Sequence, residues 1–439
     1  MKTISLAGLL AATALTAAAP ARAQDAPADI VAELAAMRAK IDSLEAKVKE
    51  LEGAKAAAVP SWKGAPQFSD KESGWSFKPR GRLQFDAGYV ESPDGVDDRG
   101  LGFGTELRRG RLGVEGTIPG GFGYKFEIDF ADNEVEVTDA LLSYDFAENA
   151  GLVVGQHNPF QSLEELTSSR FTSFMERAAF TDAFNFERRV GVSLGYAKGP
   201  LIAQVGVFSD NIGDLAEAGD ENNSRSIDAR LVYAPKLGET QIHLGGSAHF
   251  RTNDDLVDIE ATTRYRQRPF IHTTDTRFLA TPSLAVGQES HYGLEAATIR
   301  GPWHAAGEVH WLKANLVEKG NDPTFFGGYA EVGYYLTGET RGYKAGAFDR
   351  TKVLRPVSDG GIGAFQVNLR YDYLDLVDQG VVGGRQSGYQ ASLIWIPQDH
   401  VRFLLNYGHL RYDDAAVVPA GGDNDYGINV LGARAQVDF

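Results

Sequence analysis

From residue 77 to the last residue, apolar and polar side chains alternate in short runs with a period of two. Phe77, Leu83, Phe85, Ala87 and Tyr89 interleave with Lys78, Arg80, Arg82, Gln84 and Asp86. Phe122, Tyr124, Phe126, Ile128 and Phe130 interleave with Lys125, Glu127 and Asp129. Val190 to Tyr196 and Val401 to Tyr407 repeat the pattern. Successive strand side chains point to opposite faces, so each run predicts a strand with one apolar and one polar face. Sixteen strands are expected, near 77–89, 104–118, 122–131, 138–146, 150–157, 188–197, 201–208, 226–233, 241–251, 289–299, 303–311, 327–336, 363–371, 388–396, 401–411 and 426–439.

The connections alternate in length. Pro119-Gly120-Gly121, Lys198-Gly199-Pro200, Gly301-Pro302 and Pro397 to His400 are short. Residues 158–187, 209–225, 252–288, 312–326, 372–387 and 412–425 form long loops. Residues 337–362 break the rule, being long on the short-turn side. Alternation alone fits a soluble sandwich equally well. An even strand count with short turns at one end and long loops at the other predicts an all-β transmembrane barrel of about 16 antiparallel strands. The last strand runs to the end of the chain, with Ala433, Ala435, Val437 and Phe439 on one face and Arg434, Gln436 and Asp438 on the other. A terminal aromatic on the apolar face resembles the assembly signal of outer-membrane barrels.

The period changes near the N-terminus. Ile30, Leu34, Met37, Ile41, Leu44, Val48 and Leu51 are spaced alternately by four and three. This heptad seam predicts an N-terminal coiled-coil helix from Asp29, a plausible N-cap, to Glu52, with Gly53 as its stop. Three heptads are too short to be stable alone, so the helix borrows stability from other subunits or packs on its own domain. Before it, Lys2, the uncharged run Ile4 to Ala19 and Ala21-Arg22-Ala23 read as a secretory signal over 1–23. The expected organisation is therefore signal 1–23, periplasmic helix 24–56, linker 57–76 and barrel 77–439.

Composition removes some alternatives. After the signal no stretch of about 20 apolar residues occurs, which argues against helical membrane spans. Gly 50 and Tyr plus Phe 41 suit tight turns and aromatic girdles, and the absence of Cys excludes disulfides and thiolate metal sites. A net charge of -16 without a basic patch argues against nucleic acid as a partner. It says nothing of the sign of charge inside a pore.

The loop 158–187 carries Phe160, Leu163, Leu166, Phe171, Phe174 and Phe180 among Glu164, Glu165, Arg170, Glu176 and Arg177. So many aromatics predict a loop folded against the inner wall as a constriction, or one covering a subunit contact. Arg80, Arg82, Arg109, Arg111, Lys125 and Arg402 fall on the predicted lumen face. With Arg170 and Arg177 they are the candidate pore-lining, anion-attracting residues. The alternative is pairing with Asp86, Glu115, Glu127 and Asp129 in wall networks. Arg108 has the opposite parity and is expected at the rim. Asp210, Asp214, Glu217, Asp220 and Glu221 read as a solvated loop face, with a divalent-cation contact as the second reading. The nine histidines show no ligand spacing, and His243 and His249 are expected to line the lumen at most. No catalytic constellation, metal site or cofactor is expected.

Residues 78–439 resemble the phosphate-selective porin O and P family. The likeness is carried by RRGRLGVEGTI at 108–118, YKFEIDFA at 124–131, DALLSYDF at 139–146, GLVVGQHNPFQSLEELTSS at 151–169 and FMERA at 174–178. AFDRTKVLRPVSDGG at 347–361, RYDYLDLVDQG at 370–380 and VRFLLNYGHLRYD at 401–413 extend it. The resemblance implies a homotrimer of sixteen-stranded channels in the bacterial outer membrane, in contact with lipid and lipopolysaccharide. It also implies a long segment near 337–362, a periplasmic coiled coil and passage of small anionic or polar solutes, phosphate or polyphosphate in the best-known members. A full arginine ladder or lysine ring does not map residue by residue. Two alternatives stay open: a general or cation- or nutrient-selective porin, and a mainly structural barrel tethered to peptidoglycan through the helix.

Overall fold

The computed structural model describes residues 28–439 other than 59–60, 63, 71, 132–133, 217–223, 254–261 and 319. The expected signal segment lies outside them. Helix α1 spans Ala28–Ala58. It runs past the predicted stop because Ala54 to Ala58 are strong helix formers and one Gly costs only about 1 kcal/mol. Leu34, Met37, Ile41, Leu44 and Val48 are all exposed along it.

The second unit, from Pro60 onward, is a closed antiparallel barrel. Its sixteen strands are β1 (Ser76–Val90), β2 (Gly102–Ile118), β3 (Phe122–Asp129), β4 (Glu136–Ala147), β5 (Ala150–His157), β6 (Arg189–Lys198), β7 (Leu201–Phe208) and β8 (Arg225–Tyr233), then β9 (Thr240–Thr252), β10 (Val286–Arg300), β11 (Trp303–Leu316), β12 (Thr324–Tyr335), β13 (Ala364–Asp378), β14 (Val381–Gln398), β15 (Val401–Asp413) and β16 (Tyr426–Asp438). Each pairs with its sequence neighbour, and β16 closes on β1 with Ala433 opposite Ala87. Phe439 completes the seam, exchanging backbone hydrogen bonds with Gly81. Its ring lies where a Cβ at residue 81 would be, so any larger residue there would have to push the ring aside.

Exposure is inverted relative to a soluble protein. Leu83, Phe85, Leu112, Leu231, Leu294, Leu369 and Leu431 are exposed on the outer face, whereas Gln84, Asp228, Asp372 and Gln386 are buried inside. An apolar exterior around a polar interior suits a sheet surrounded by lipid.

Two predicted loops are shorter than expected. In place of a loop over 372–387, β13 and β14 continue to a turn at Gln379-Gly380. The alternation fails there because Leu374, Leu376 and Val381 turn apolar side chains inward, where they join one buried cluster with Phe278 and Leu279. The loop expected at 312–326 contracts to 317–323 for a similar reason, with Leu312 and Ala314 buried. The predicted linker contains short strands at Ser61–Trp62 and Pro66–Ser69, the latter paired with the start of β1.

The long segment 336–363 sits at the turn end and folds inward. It forms a small hairpin, Gly342–Lys344 with Ala347–Asp349. Tyr343 OH meets His243 Nδ1 at 2.7 Å, and Phe348 N–H donates to Thr167 Oγ1. Its length is thus used to reach side chains inside the barrel.

Candidate functional site in the lumen

Residues 158–188 leave β5, enter the barrel and cross to the opposite wall. The N–H groups of Leu163 and Glu164 donate to the Glu308 carboxylate at 2.9 and 2.7 Å. Ala179 N–H donates to Asp372, and the Ser173 carbonyl accepts from Ser392 at 2.7 Å. Arg402 donates to the carbonyls of Arg170 and Thr172, and Arg434 to that of Met175. Wall side chains thereby satisfy backbone groups that a buried loop would otherwise leave unpaired. Phe174 and Phe180 are fully buried. Phe180 sits over Gly327, where an added Cβ would approach its own Cβ to 2.5 Å.

A cavity of about 480 Å³ remains, bounded by this loop, β1 to β4 and part of the loop before β10. Its lining contains nine arginines and one lysine against seven carboxylates. The cavity wall is therefore cationic in a chain whose net charge is -16.

The predicted residues divide by partner. Arg80, Arg82, Arg109, Arg111, Lys125, Arg170 and Arg177 all line the cavity. Arg80 pairs with Glu115, and Lys125 with Asp139 at 2.7 Å. Arg111 meets Asp129 at 2.7 Å and Glu127 at 3.4 Å. Arg170 reaches Asp438 at 3.5 Å. Arg177 meets Glu165 at 3.3 Å and donates to the carbonyls of Glu164, Glu165 and Thr167. Arg82 and Arg109 have only neutral hydrogen-bond partners among the described residues. Arg82 donates to Ser169 Oγ at 2.7 Å and Arg109 to Gln84 Oε1 at 2.9 Å. Both expected patterns, wall pairing and uncompensated charge, therefore coexist. Arg402 faces the lumen but lies outside this cavity.

Arg108 departs from its expected place at the rim. The register shifts between Gln84/Arg109 and Phe85/Leu107, so a β-bulge turns both Arg108 and Arg109 inward. Arg108 then holds Glu176 through two hydrogen bonds, at 3.0 and 3.1 Å. Arg188 and Arg268 also line the cavity. Sequence parity missed both because Arg188 opens the predicted strand 188–197 on the parity of its apolar face, Val190 and Val192, and Arg268 lies within the predicted loop 252–288. Glu176 lies in the loop between membrane strands. Burial works to raise its carboxyl, but Arg108 and Arg434 outweigh burial and hold it well below the usual range. Glu165 is the reverse case. Burial raises it, and Arg177 only partly offsets this.

The acidic loop is also redistributed. Asp210 is buried, accepting from Ser224 and from Arg251 at 2.9 Å, and does not form a solvated face. Glu217, Asp220 and Glu221 lie outside the described residues.

The sequence model described as phosphate-selective porin O and P matches residues 77–439. The chain belongs to this family. An uncharacterized protein of Caulobacter vibrioides is 48% identical over 480 aligned residues, covering 99% of this chain and 96% of that one. Porin O of Pseudomonas aeruginosa is 25% identical, covering 83% and 89%. Among solved structures, OmpT of Vibrio cholerae has a TM-score of 0.53 at 11% identity, covering 84% of this chain and 100% of that one. The anion-selective porin from Comamonas acidovorans has a TM-score of 0.53 at 15% identity, covering 83% and 100%. These likenesses establish the barrel, and family membership makes the chain an outer-membrane porin.

Proposed function

We propose that this porin passes small hydrophilic solutes by diffusion with a preference for anions, phosphate among them. The observation that carries the reading is the cationic surplus of the lumen cavity, with Arg82 and Arg109 lacking carboxylate partners among the described residues. Guanidinium groups in a narrow passage attract anions and offer paired N–H donors to phosphate oxygens. In this reading the 158–188 loop is the constriction that brings anions within reach of them. The solved barrel from Comamonas acidovorans, described as anion-selective, adds support from a related fold.

Assembly follows from the helix. Leu34, Met37, Ile41, Leu44 and Val48 form an exposed apolar seam. Other copies of the chain are the partners such a heptad takes, though the heptad does not set their number. A homotrimer with the helix in the periplasm, as the family resemblance implies, is the arrangement we propose.

Purified channels in a planar bilayer under a KCl gradient test the selectivity, with phosphate added afterwards. A reversal potential on the chloride side, with current blocked by millimolar phosphate, is expected. Cation preference would overturn the anion reading, and chloride preference without block would remove phosphate alone from it.

A further inference from the structure

The strand register assembles a polar cluster that the passage of solutes does not use. Asp228 on β8 stands opposite His249 on β9, and His249 opposite His291 on β10. Glu289 lies two residues before His291 on the same inward face. One nitrogen from each imidazole and one Glu289 oxygen lie within 4.8 Å of one another. All four residues are buried.

The surrounding hydrogen bonds prepare this cluster for an ion. Asp228 Oδ1 lies 2.6 Å from His249 Nδ1, which fixes the proton there and leaves the Nε2 lone pair as the donor. Tyr265 OH donates to Glu289 Oε1, leaving Oε2 to bind. Among the described residues, neither ring nitrogen of His291 has a hydrogen-bond partner. The Glu289 carboxylate approaches its Nε2 only to 3.9 Å. Two orphaned nitrogens in one buried ring are costly unless something supplies a partner. Two cations stand nearby among the described residues, and both are engaged elsewhere. Arg251 Nη1 is 3.9 Å from Glu289 but its Nη2 meets Asp210 at 2.9 Å. Arg189 meets Glu187 at 2.7 Å and Asp210 at 3.7 Å. Asp228 and Glu289 thus place two carboxylates beside two imidazoles in one buried cluster. Phe184 and Phe186 of the inward loop cover His291, with rings 6.2 and 5.9 Å away.

We propose that His249, Glu289 and His291 bind a divalent transition-metal ion, zinc by preference, with Asp228 and Tyr265 holding two of the ligands. Two imidazoles and a carboxylate form a donor set suited to zinc. Ligands about 2.1 Å from a tetrahedral ion stand about 3.4 Å apart, so modest side-chain rotation closes the cluster around it. The ion ties β9 to β10 beneath the inward loop, fixing the wall on which Phe184 and Phe186 rest.

The test uses the full chain without an affinity tag, purified from outer membranes in detergent, stripped with EDTA and equilibrated with micromolar zinc chloride. Elemental analysis should give one zinc per chain. His291→Gln should lower this to under a tenth. Asp228→Asn should weaken zinc binding by about 10–100-fold. Folding of each variant is read from its heat-modifiable gel mobility. Should the variants fail to fold, cobalt added to stripped wild-type protein decides, because a tetrahedral site gives intense visible bands. Less than a tenth of an ion per wild-type chain, zinc unchanged in His291→Gln, or cobalt with only the weak bands of an octahedral aquo ion would overturn the proposal.

Discussion

Arginines on the inner face serve two different purposes, set by the partners that hold them. On the cavity side, Arg82 and Arg109 are held by serine and glutamine oxygens. On the anchoring side, Arg370 lies 2.7 Å from Glu164 and 2.6 Å from Glu331, with its guanidinium 4.5 Å from the Phe174 ring. Arg434 likewise bridges Asp86 and Glu176 at 2.6 and 2.8 Å. A charge shared between two carboxylates fixes the loop and leaves little field for a passing ion. A charge held by neutral dipoles keeps its field. The residue type and the facing are the same, and only the partners differ.

Removing an anchoring arginine should have the largest effect. Arg370→Met leaves Glu164 and Glu331 buried without their shared cation, a loss of about 3–5 kcal/mol in comparable cases. The heat-modification midpoint should fall, and single-channel conductance should rise as the loop leaves its seat. If both stay at the wild-type value, the anchoring role assigned to this wall is wrong.

The converse change should alter selectivity while sparing stability. Two charges each shift an ion about 8 Å away by about 2 kcal/mol at an effective dielectric near 20, before screening. The pair Arg82→Ala and Arg109→Ala should therefore lower the anion-to-cation permeability ratio by about tenfold, with the thermal midpoint little changed. A lowered midpoint with unchanged reversal potential would show that these two also act as anchors.

Glycine substitutions sharpen the picture of the seat. Gly327→Ala meets Phe180 Cβ, which is fixed to the loop backbone, so a cost of about 1–3 kcal/mol is expected. Gly432→Ala meets the sulfur of Met175, the flexible part of its side chain, and should cost less than half as much. Equal midpoints for the two variants, measured by thermal unfolding in detergent, would contradict a rigid seat at β12.

These cases also mark what the sequence could tell. Period-two alternation was sufficient for all sixteen strands, because lipid outside and water inside impose opposite requirements on successive residues. It failed where the interior turns apolar, at Leu374 and Leu376, and where a bulge breaks parity, at Arg108. Aromatic content revealed the inward loop at 158–188. The same signal was present in Tyr265, Phe270 and Phe278 of the loop before β10, which are buried as well. Reading that loop only as long missed it. The His249–Glu289–His291 cluster was beyond sequence spacing altogether, since 40 residues separate His249 from Glu289 and only register joins them. Partner choice was hidden for the same reason. Glu164 and Glu331 converge on Arg370 from two distant segments, and nothing local to residue 370 announces it.

The smallest expected effect concerns acidity on the cavity side. Glu165 lies in the loop, and burial raises its carboxyl despite Arg177. Glu176 is held well below the usual range by Arg108 and Arg434, against the effect of burial. As pH falls from neutral, Glu165 and Glu187, a second cavity carboxyl raised by burial, therefore take up protons while Glu176 remains ionised, and the cavity becomes more positive. Anion preference should rise with falling pH, by about twofold after screening. Glu165→Gln removes that carboxylate at every pH, so its reversal potential at neutral pH should already lie partway to that of the acidified wild type and vary less with pH. A variant whose reversal potential follows pH as steeply as the wild type would assign the titration to another group and leave Glu165 as a structural contact of Arg177.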